Sequence, residues 1–206
     1  MKTLVVDRST EVQSLAYVEG DALKAACVLE GLDGRSGEWV VRVRDFMREQ
    51  GVEKPDRIVV GTGPGSFAGI RAALAFAQGF ALGSGCTVLG LPSPCAGAKI
   101  GTDEPCAIVG DARRGLYWVA LFEGARLVTP IFETDAETLP KRIPIGVDVL
   151  TPDEGRIDAV LKEKFDAAYK GAFRPHAADL ARAFLANPAL LTKEPLPIYL
   201  NPAVRT

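Results

Sequence analysis

The stretch VVGTGPGSFAGIR, residues 59–71, says more about the fold than any other part of this chain. A short apolar strand runs into a glycine-rich loop, and the loop leads into a helix. Gly63 and Gly65 permit positive φ and a close approach of the backbone, while Pro64 fixes one φ between them. Ser66 can cap the helix, whose first free amides can accept an anion. The glycines therefore indicate either a tight strand-to-helix turn or a cradle for phosphate.

The loop matches neither of the common nucleotide-binding motifs. A Walker loop requires Gly-Lys-Ser/Thr after the glycines, which this chain lacks, and the spacing differs from the Rossmann fingerprint.

The helix that the loop begins extends from about Phe67 to Leu82 and is rich in alanine. Its small residues let another helix approach closely, while Phe76 and Phe80 add apolar area on one side.

A helix this apolar needs cover on most of its faces. One source of cover is the protein's own sheet together with a preceding helix, which Ser36 would cap and which extends to about Gln50. The other source is a second subunit. The residues that we assign to the loop and to this interface are Gly63, Pro64, Gly65, Ser66, Phe67, Gly69, Arg71, Ala73, Phe76, Ala77 and Phe80.

The two halves of the chain open in the same way. Each begins with a strand that ends in Asp and continues into a hairpin that turns at Glu-Gly, and Leu127–Phe132 is the third strand of the second half. Duplicated lobes of this kind place two aspartates at opposing strand ends across a cleft. We therefore expect an α/β fold with two lobes, residues 1–101 and 102–206. The aligned positions are Val5, Asp7, Ala16, Glu19, Gly20 and Leu23 with Val109, Asp111, Ala120, Glu123, Gly124 and Leu127.

Composition narrows the classes of function. The chain has 206 residues, a net charge of −2 and no basic stripe, so we do not expect it to bind nucleic acid without a partner protein. The four cysteines form no CxxC pair, and His176 is the one histidine, which argues against a zinc site or a disulfide framework. Neither a signal peptide nor a membrane span is evident, and we expect a cytoplasmic protein.

Residues 61–81, GTGPGSFAGIRAALAFAQGFA, resemble the signature of the TsaB (YeaZ) family, usually GxGPGSFTGxRxGxxxAxGxA. Ala68 and Ala73 stand where that family generally has Thr and Gly. Further along, residues 111–118 are similar to the family's DARxGEVYxA segment.

Both ends of the chain extend the resemblance, each with one departure. The family's N-terminal DTST is Asp7-Arg8-Ser9-Thr10 in this chain, so Arg8 replaces a threonine in a turn that holds nucleotide in related kinases. Residues 197–200, PIYL, are similar to the family's terminal P-x-Y-L-R, with Asn201 in place of the arginine.

The resemblance implies a two-lobed actin/Hsp70-like ATPase (ribonuclease H-like) fold with a reduced second lobe. It implies a non-catalytic scaffold subunit that binds a TsaD-like partner in threonylcarbamoyl transfer to N6 of tRNA adenosine 37. A TsaE-like ATPase joins that assembly, the isolated subunit forms a homodimer, and tRNA is contacted only through the complex. No cofactor is expected on the chain alone, and ATP or ADP is expected only at an interface of the complex.

Two catalytic functions, those of a small kinase and of a peptidase, remain as alternative hypotheses for the same residues. Asp7 and Asp111 could help to place magnesium and nucleotide in a small kinase of the same superfamily, or could simply form turns. Arg113 and Arg114 could meet phosphate or tRNA, or lie in solvent. A glycoprotease-like peptidase would need a histidine and an acid beside Ser66. TsaD-like subunits hold metal through His-x-x-x-His, which a chain with His176 alone cannot form.

Overall fold

The computed structural model describes residues 1–31 and 37–200. Contacts between residues divide the chain into two compact units. Unit 1 comprises Met1–Ala96 and Pro175–Ile198, and unit 2 comprises Gly97–Arg174 with Tyr199 and Leu200. The predicted lobes, 1–101 and 102–206, differ from these units chiefly because a C-terminal segment returns to unit 1.

Unit 1 is built on a five-stranded sheet in the order β3-β2-β1-β4-β5. The first three strands form an antiparallel meander, and β4 and β5 continue the sheet parallel to β1. The central strand alternates its side chains between two buried faces, which explains its unbroken apolar sequence. The strands are β1 Lys2–Asp7, β2 Ser14–Glu19, β3 Ala22–Val28, β4 Arg57–Gly61 and β5 Thr87–Leu91.

Helices cover both faces of this sheet. α1 (Glu38–Glu49) and α2 (Phe67–Ser84) pack with Leu4, Val6 and other strand residues into one hydrophobic core. α5 (Ala177–Ala186) contacts β1, β2 and β3. The returning segment adds two backbone ties to unit 1, because Thr192 bridges Gly90 and Ile198 donates its amide to the Thr62 carbonyl.

Unit 2 repeats the strand order with smaller helices. Its sheet runs β11-β10-β6-β7-β8, with β9 also paired to β7. Two short helices, α3 (Leu139–Arg142) and α4 (Asp158–Phe165), take the connections that α1 and α2 occupy in unit 1. The strands are β6 Pro105–Arg113, β7 Leu116–Glu123, β8 Arg126–Leu127, β9 Phe132–Asp135, β10 Asp148–Thr151 and β11 Tyr169–Ala172.

The shared strand order confirms the predicted fold class. In each unit an antiparallel meander is continued by two parallel strands, which is the actin/Hsp70-like (ribonuclease H-like) arrangement, and the second copy is the reduced one. Both predicted Glu-Gly turns are present, with positive φ at Gly20 (61°) and Gly124 (54°). Glycine adopts that conformation without the steric cost that a Cβ would add.

Several element boundaries differ from the sequence prediction. The strand predicted over 127–132 is split into β8 and β9, both paired to β7, with Pro130 in the break. Proline cannot donate to the sheet, which explains the interruption. No strand is predicted from the sequence at the position of β11. The cap predicted at Ser36 lies outside the described residues.

Candidate functional site

The carboxylate of Asp7, at the end of β1, is completely buried and fully bonded. Its Oδ1 accepts from the Ser9 amide at 2.9 Å and from the Ser9 hydroxyl at 2.7 Å, while Oδ2 accepts from the Ser93 hydroxyl at 2.7 Å. Burial raises the pKa of Asp7, and the hydrogen bonds from Ser9 and Ser93 oppose that rise. In this arrangement Asp7 organises the turn rather than presenting an oxygen to a ligand.

The glycine loop packs against the turn that follows Asp7. A Cβ on Gly61 would collide with Asp7, a Cβ on Gly65 with the Ser9 carbonyl, and a Cβ on Gly69 with the Arg8 carbonyl. Ser93 links the two segments, because its hydroxyl also accepts from the Gly63 amide at 3.0 Å. Gly65 and Gly69 are therefore required by the approach of one backbone to another within unit 1, and Gly61 is required by the Asp7 carboxylate.

The N-terminus of α2 is partly occupied by the protein itself. The Ser66 amide donates to the Ser9 carbonyl at 2.6 Å, and the Gly69 amide donates to the Ser66 hydroxyl at 3.2 Å. An anion bound there would compete with both acceptors. Of the two hypotheses for the loop, the structure favours the tight turn.

The corresponding end of unit 2 is open to solvent. Asp111 accepts from the Arg113 amide at 2.7 Å and pairs with the Arg113 guanidinium at 3.1 Å. Its own amide donates to Asp153 Oδ2 at 2.7 Å, and burial raises the pKa of Asp153. Arg113 and Arg114 are exposed and have positive φ, 70° and 57°. The structure thus brings Asp111 and Arg113 together and leaves both arginines accessible to a partner.

An apolar groove of about 580 Å³ lies between α1 and α2 on unit 1. Phe76 and Phe80 of α2 are half-buried in its wall, and Val40 of α1 is 39 % exposed. Arg44 and Arg48 also line the groove, and the Arg44 guanidinium pairs with Asp45 at 2.9 Å. Other lining residues are Val43, Met47, Val52 and Glu53.

Two of the predicted interface residues are core residues instead. Ala73 and Ala77 have no exposed surface and pack in the core beneath α2, so a partner cannot reach their side chains. This corrects their assignment to an interface. Of the other predicted residues, Gly63 and Pro64 are buried, Phe76 and Phe80 line the groove, and Phe67 and Arg71 are exposed near the start of α2.

Sequence reasoning missed two residues that organise this region. Ser93, in a short 3-10 turn, bridges Asp7 and Gly63, and no motif in the sequence marks it. Arg8 is 3 % exposed, and its guanidinium lies 4.4 Å from the centre of the Trp39 ring on α1. Its departure from the family's threonine was the available signal.

The residues considered for catalysis are otherwise placed in structural roles. His176 directly precedes α5, where its carbonyl accepts from the amides of Asp179 and Leu180. The Ser66 hydroxyl caps α2. No cluster of three His, Cys, Asp or Glu side chains suited to a metal occurs within residues 1–31 and 37–200. Over the same residues, no helix has the length and hydropathy needed to cross a membrane.

Comparison with known proteins gives a family match and structural matches. Residues 40–143, just over half of the chain, match the model of the TsaD family, described as tRNA N6-adenosine threonylcarbamoyltransferase. Uncharacterised proteins of Mycobacterium bovis and Mycobacterium tuberculosis are 39% identical over 88 residues. That match covers 41% of this chain and 40% of each relative.

Two solved structures share the fold over nearly the whole chain. One is a Pseudomonas aeruginosa protein described as similar to the peptidase YeaZ, with a TM-score of 0.72 and 23% identity. The match covers 97% of this chain and 99% of that one. The other is YeaZ from the same organism, with a TM-score of 0.71, 23% identity and the same coverage.

Proposed function

The chain belongs to the tRNA N6-adenosine threonylcarbamoyltransferase family, and from this premise we propose that it is a non-catalytic scaffold subunit of that machinery. It binds a TsaD-like catalytic subunit, which transfers threonylcarbamoyl to N6 of adenosine 37 in tRNA. The α1–α2 groove is the docking surface, and the observation that carries the proposal is the exposed apolar wall of this groove.

The groove has the chemistry of a protein interface. It combines an apolar floor with half-buried aromatic rings and an arginine-bearing rim, a composition enriched at interface cores. Most of its wall is formed by regular helices, α1 of 12 residues and α2 of 18 residues. A partner helix with an apolar stripe and an acidic flank fits this description.

The state of the β1–β2 turn supports a non-catalytic role for unit 1. The Asp7 oxygens are engaged by Ser9 and Ser93, and the first amides of α2 are partly engaged by Ser9 and Ser66. A kinase of this superfamily needs these groups for magnesium and phosphate. We therefore propose that the isolated chain binds no nucleotide and that ATP or ADP binds only at an interface of the complex.

The remaining partners follow from the same proposal. A TsaE-like ATPase joins the assembly, and tRNA is reached only through the complex, because a chain with a net charge of −2 offers little attraction to phosphate. In the absence of the partner, a second copy of this chain covers the groove as a homodimer. The homodimer and the heterodimer then compete for one surface.

Co-purification with the TsaD-like protein of the same genome tests the proposal. Val40→Arg places a charge in the groove and is expected to weaken the complex by about tenfold or more. Val41→Arg is the matched control: Val41 is 43 % exposed, lies beside Val40 on α1 and does not line the groove. It should bind as the wild type does.

Four results would contradict the proposal. The first is no complex with any TsaD-like partner, and the second is equal binding by Val40→Arg and the wild type. The third is ATP turnover by the isolated chain that Asp7→Asn abolishes, which would favour the kinase alternative. Cleavage of a protein that Ser66→Ala abolishes would favour the peptidase alternative.

A further inference from the structure

A line of ring contacts leads from the β1–β2 turn to the α1–α2 groove. The guanidinium of Arg8 lies over Trp39, at 4.4 Å from the ring centre. Trp39 meets Phe76 edge to face, with ring centres 5.0 Å apart and planes at 68°. Phe76 in turn lies 5.9 Å from Phe80, and both phenylalanines line the groove. Side chains from the turn, α1 and α2 thus form one connected row.

Burying the charged side chain of Arg8 costs free energy of folding. Arg8 is 3 % exposed, and its Nε has no hydrogen-bond partner in the part of the chain that the structure describes. Burial lowers the pKa of the guanidinium, which reflects the loss of hydration around the charge. An apolar side chain of similar length would fill the space without leaving a donor unsatisfied. Stability alone therefore does not account for arginine here, whereas the Trp39 face offers the cation a compensating partner.

Trp39 does not line the groove but packs in the core of unit 1 next to Phe76. Its ring is 5 % exposed and belongs to the core of unit 1, so a docked partner would touch Phe76 and Phe80 rather than Trp39. Aromatic rings that meet edge to face restrict each other's rotation. Ordering a groove before binding reduces the entropy that binding must otherwise remove.

We infer that Arg8 is a positioning residue for the docking surface: it fixes Trp39, and through Trp39 it fixes the Phe76 and Phe80 rings that a partner contacts. The inference rests on the proposed function, because it assigns to the groove the same protein partner. It adds that the turn equivalent to a nucleotide hairpin in related kinases is used in this chain to organise a protein interface.

The first test uses the free protein and needs no partner. Trp118→Phe leaves Trp39 as the single tryptophan, so tryptophan fluorescence reports on the surroundings of Trp39 alone. In that background Arg8→Met should shift the Trp39 emission, and ¹⁹F signals of fluorophenylalanine at positions 76 and 80 should move or broaden. Arg8→Lys, which keeps a cation, should remain close to the parent. Unchanged Trp39, Phe76 and Phe80 signals in Arg8→Met overturn the inference.

The second test measures affinity for the TsaD-like partner. Arg8→Met is expected to weaken binding about fivefold, and Arg8→Lys less than about twofold. In a Trp39→Leu background, Arg8→Met should cause no further loss, because the contact that it removes is already absent. Circular dichroism and thermal unfolding of each variant identify any that fail to fold. If Arg8→Met does, Arg8→Gln, which removes the charge but keeps a polar side chain, takes its place in both tests with the same expected and contrary outcomes.

The outcomes separate the two proposals. If the wild type does not bind the partner, the proposed function fails, and the ring signals of the free protein still decide the role of Arg8. If the wild type binds and Arg8→Met binds equally well, the positioning role fails while the proposed function stands. An equal loss from Arg8→Met in the wild-type and Trp39→Leu backgrounds also overturns it, since the effect would not pass through Trp39.

Discussion

The first hairpins of the two units begin with the same pattern and end differently. After Asp7 the strands of unit 1 separate, and residues 8–13 form a loop that packs on the glycine loop. After Asp111 the strands of unit 2 stay paired, with one register shift between Asp111 and Arg113, up to a two-residue turn at Arg114-Gly115. Asp7 is buried with three donors, whereas Asp111 is partly exposed and bonded to Arg113.

The difference follows from what each hairpin has to contact. Unit 1 has an 18-residue α2 whose N-terminus needs acceptors, and the Arg8–Ser9 backbone provides one. The helices of unit 2 have four and eight residues. The β6–β7 hairpin of unit 2 therefore stays paired strand to strand, and Arg113 and Arg114 lie in solvent. The same sequence pattern has therefore produced two different structures. In unit 1 it gives an internal support, residues 8–13, which packs on the glycine loop, and in unit 2 it gives an exposed charged tip, residues 113–115.

The largest expected effect tests the internal support. Gly69→Ala places a Cβ against the Arg8 carbonyl and should destabilise unit 1 by about 3 kcal/mol, because neither backbone can move freely. Gly79→Ala is the matched control on the same helix, where a Cβ would meet nothing within 4 Å. It should stabilise by about 0.5–1 kcal/mol through helix propensity. Chemical denaturation measures both, and equal effects would refute the close packing.

The two aspartates provide the most direct comparison. Asp7→Ala removes the acceptor of three hydrogen bonds within the core and should cost about 3 kcal/mol. Asp111→Ala should cost about 1 kcal/mol or less, because its partner Arg113 is solvated. Thermal unfolding of the two variants gives the difference. Similar costs would mean that the second hairpin is also an internal support.

The exposed tip of unit 2 should tolerate, and even gain from, substitution. Arg114 has a φ of 57° beside Gly115 at 77°, as a type I′ turn requires. Arg114→Asn introduces the residue preferred there and should stabilise by about 0.5–1 kcal/mol. Arg114→Lys retains the charge and the strain and should change little. If Arg114→Asn destabilises instead, the arginine makes a contact that outweighs its conformation.

The smallest expected effect is the pH dependence that Asp7 contributes to the stability of unit 1. Burial raises the folded-state pKa of Asp7 above its ordinary value of 3.8, so the folded protein binds the proton more tightly than the unfolded chain. The resulting stabilisation is complete below pH 3.8 and is lost as pH rises through the folded-state pKa. Asp7→Asn lacks this titration. The stability of the wild type relative to Asp7→Asn should therefore fall with rising pH in denaturation series, and a rise would show that the hydrogen bonds outweigh burial.

The sequence predicted local features well. The strand that ends at Asp7, the Glu19-Gly20 and Glu123-Gly124 turns and the start of α2 at Phe67 all depend on neighbouring residues, and all are present. The equivalence of the two openings predicted the repeated sheet order. Conformations set by nearby chemistry leave readable signals in a sequence.

The contacts of the site could not be predicted in the same way. Because α2 is apolar on nearly every side, its sequence did not reveal that Ala73 and Ala77 face the core while Phe80 faces the groove. The approach of Gly65 and Gly69 to the Arg8–Ser9 backbone joins segments far apart in sequence. The stacking of Arg8 on Trp39 arises only once α1 is docked on the sheet.

The return of Pro175–Ile198 to unit 1 has a consequence for synthesis on the ribosome. Residues Gly97–Arg174 of unit 2 are continuous in sequence and can complete their core as soon as they emerge. The first 96 residues cannot, because α5, the Gly90–Thr192 bridge and the Ser14 contact to Ala177 are supplied only when the last part of unit 1 is made. Residues 1–96 are therefore made before unit 2 but complete their fold after it. Until α5 is made, the sheet face that α5 covers stays exposed, and its apolar side chains are a surface that a chaperone can bind.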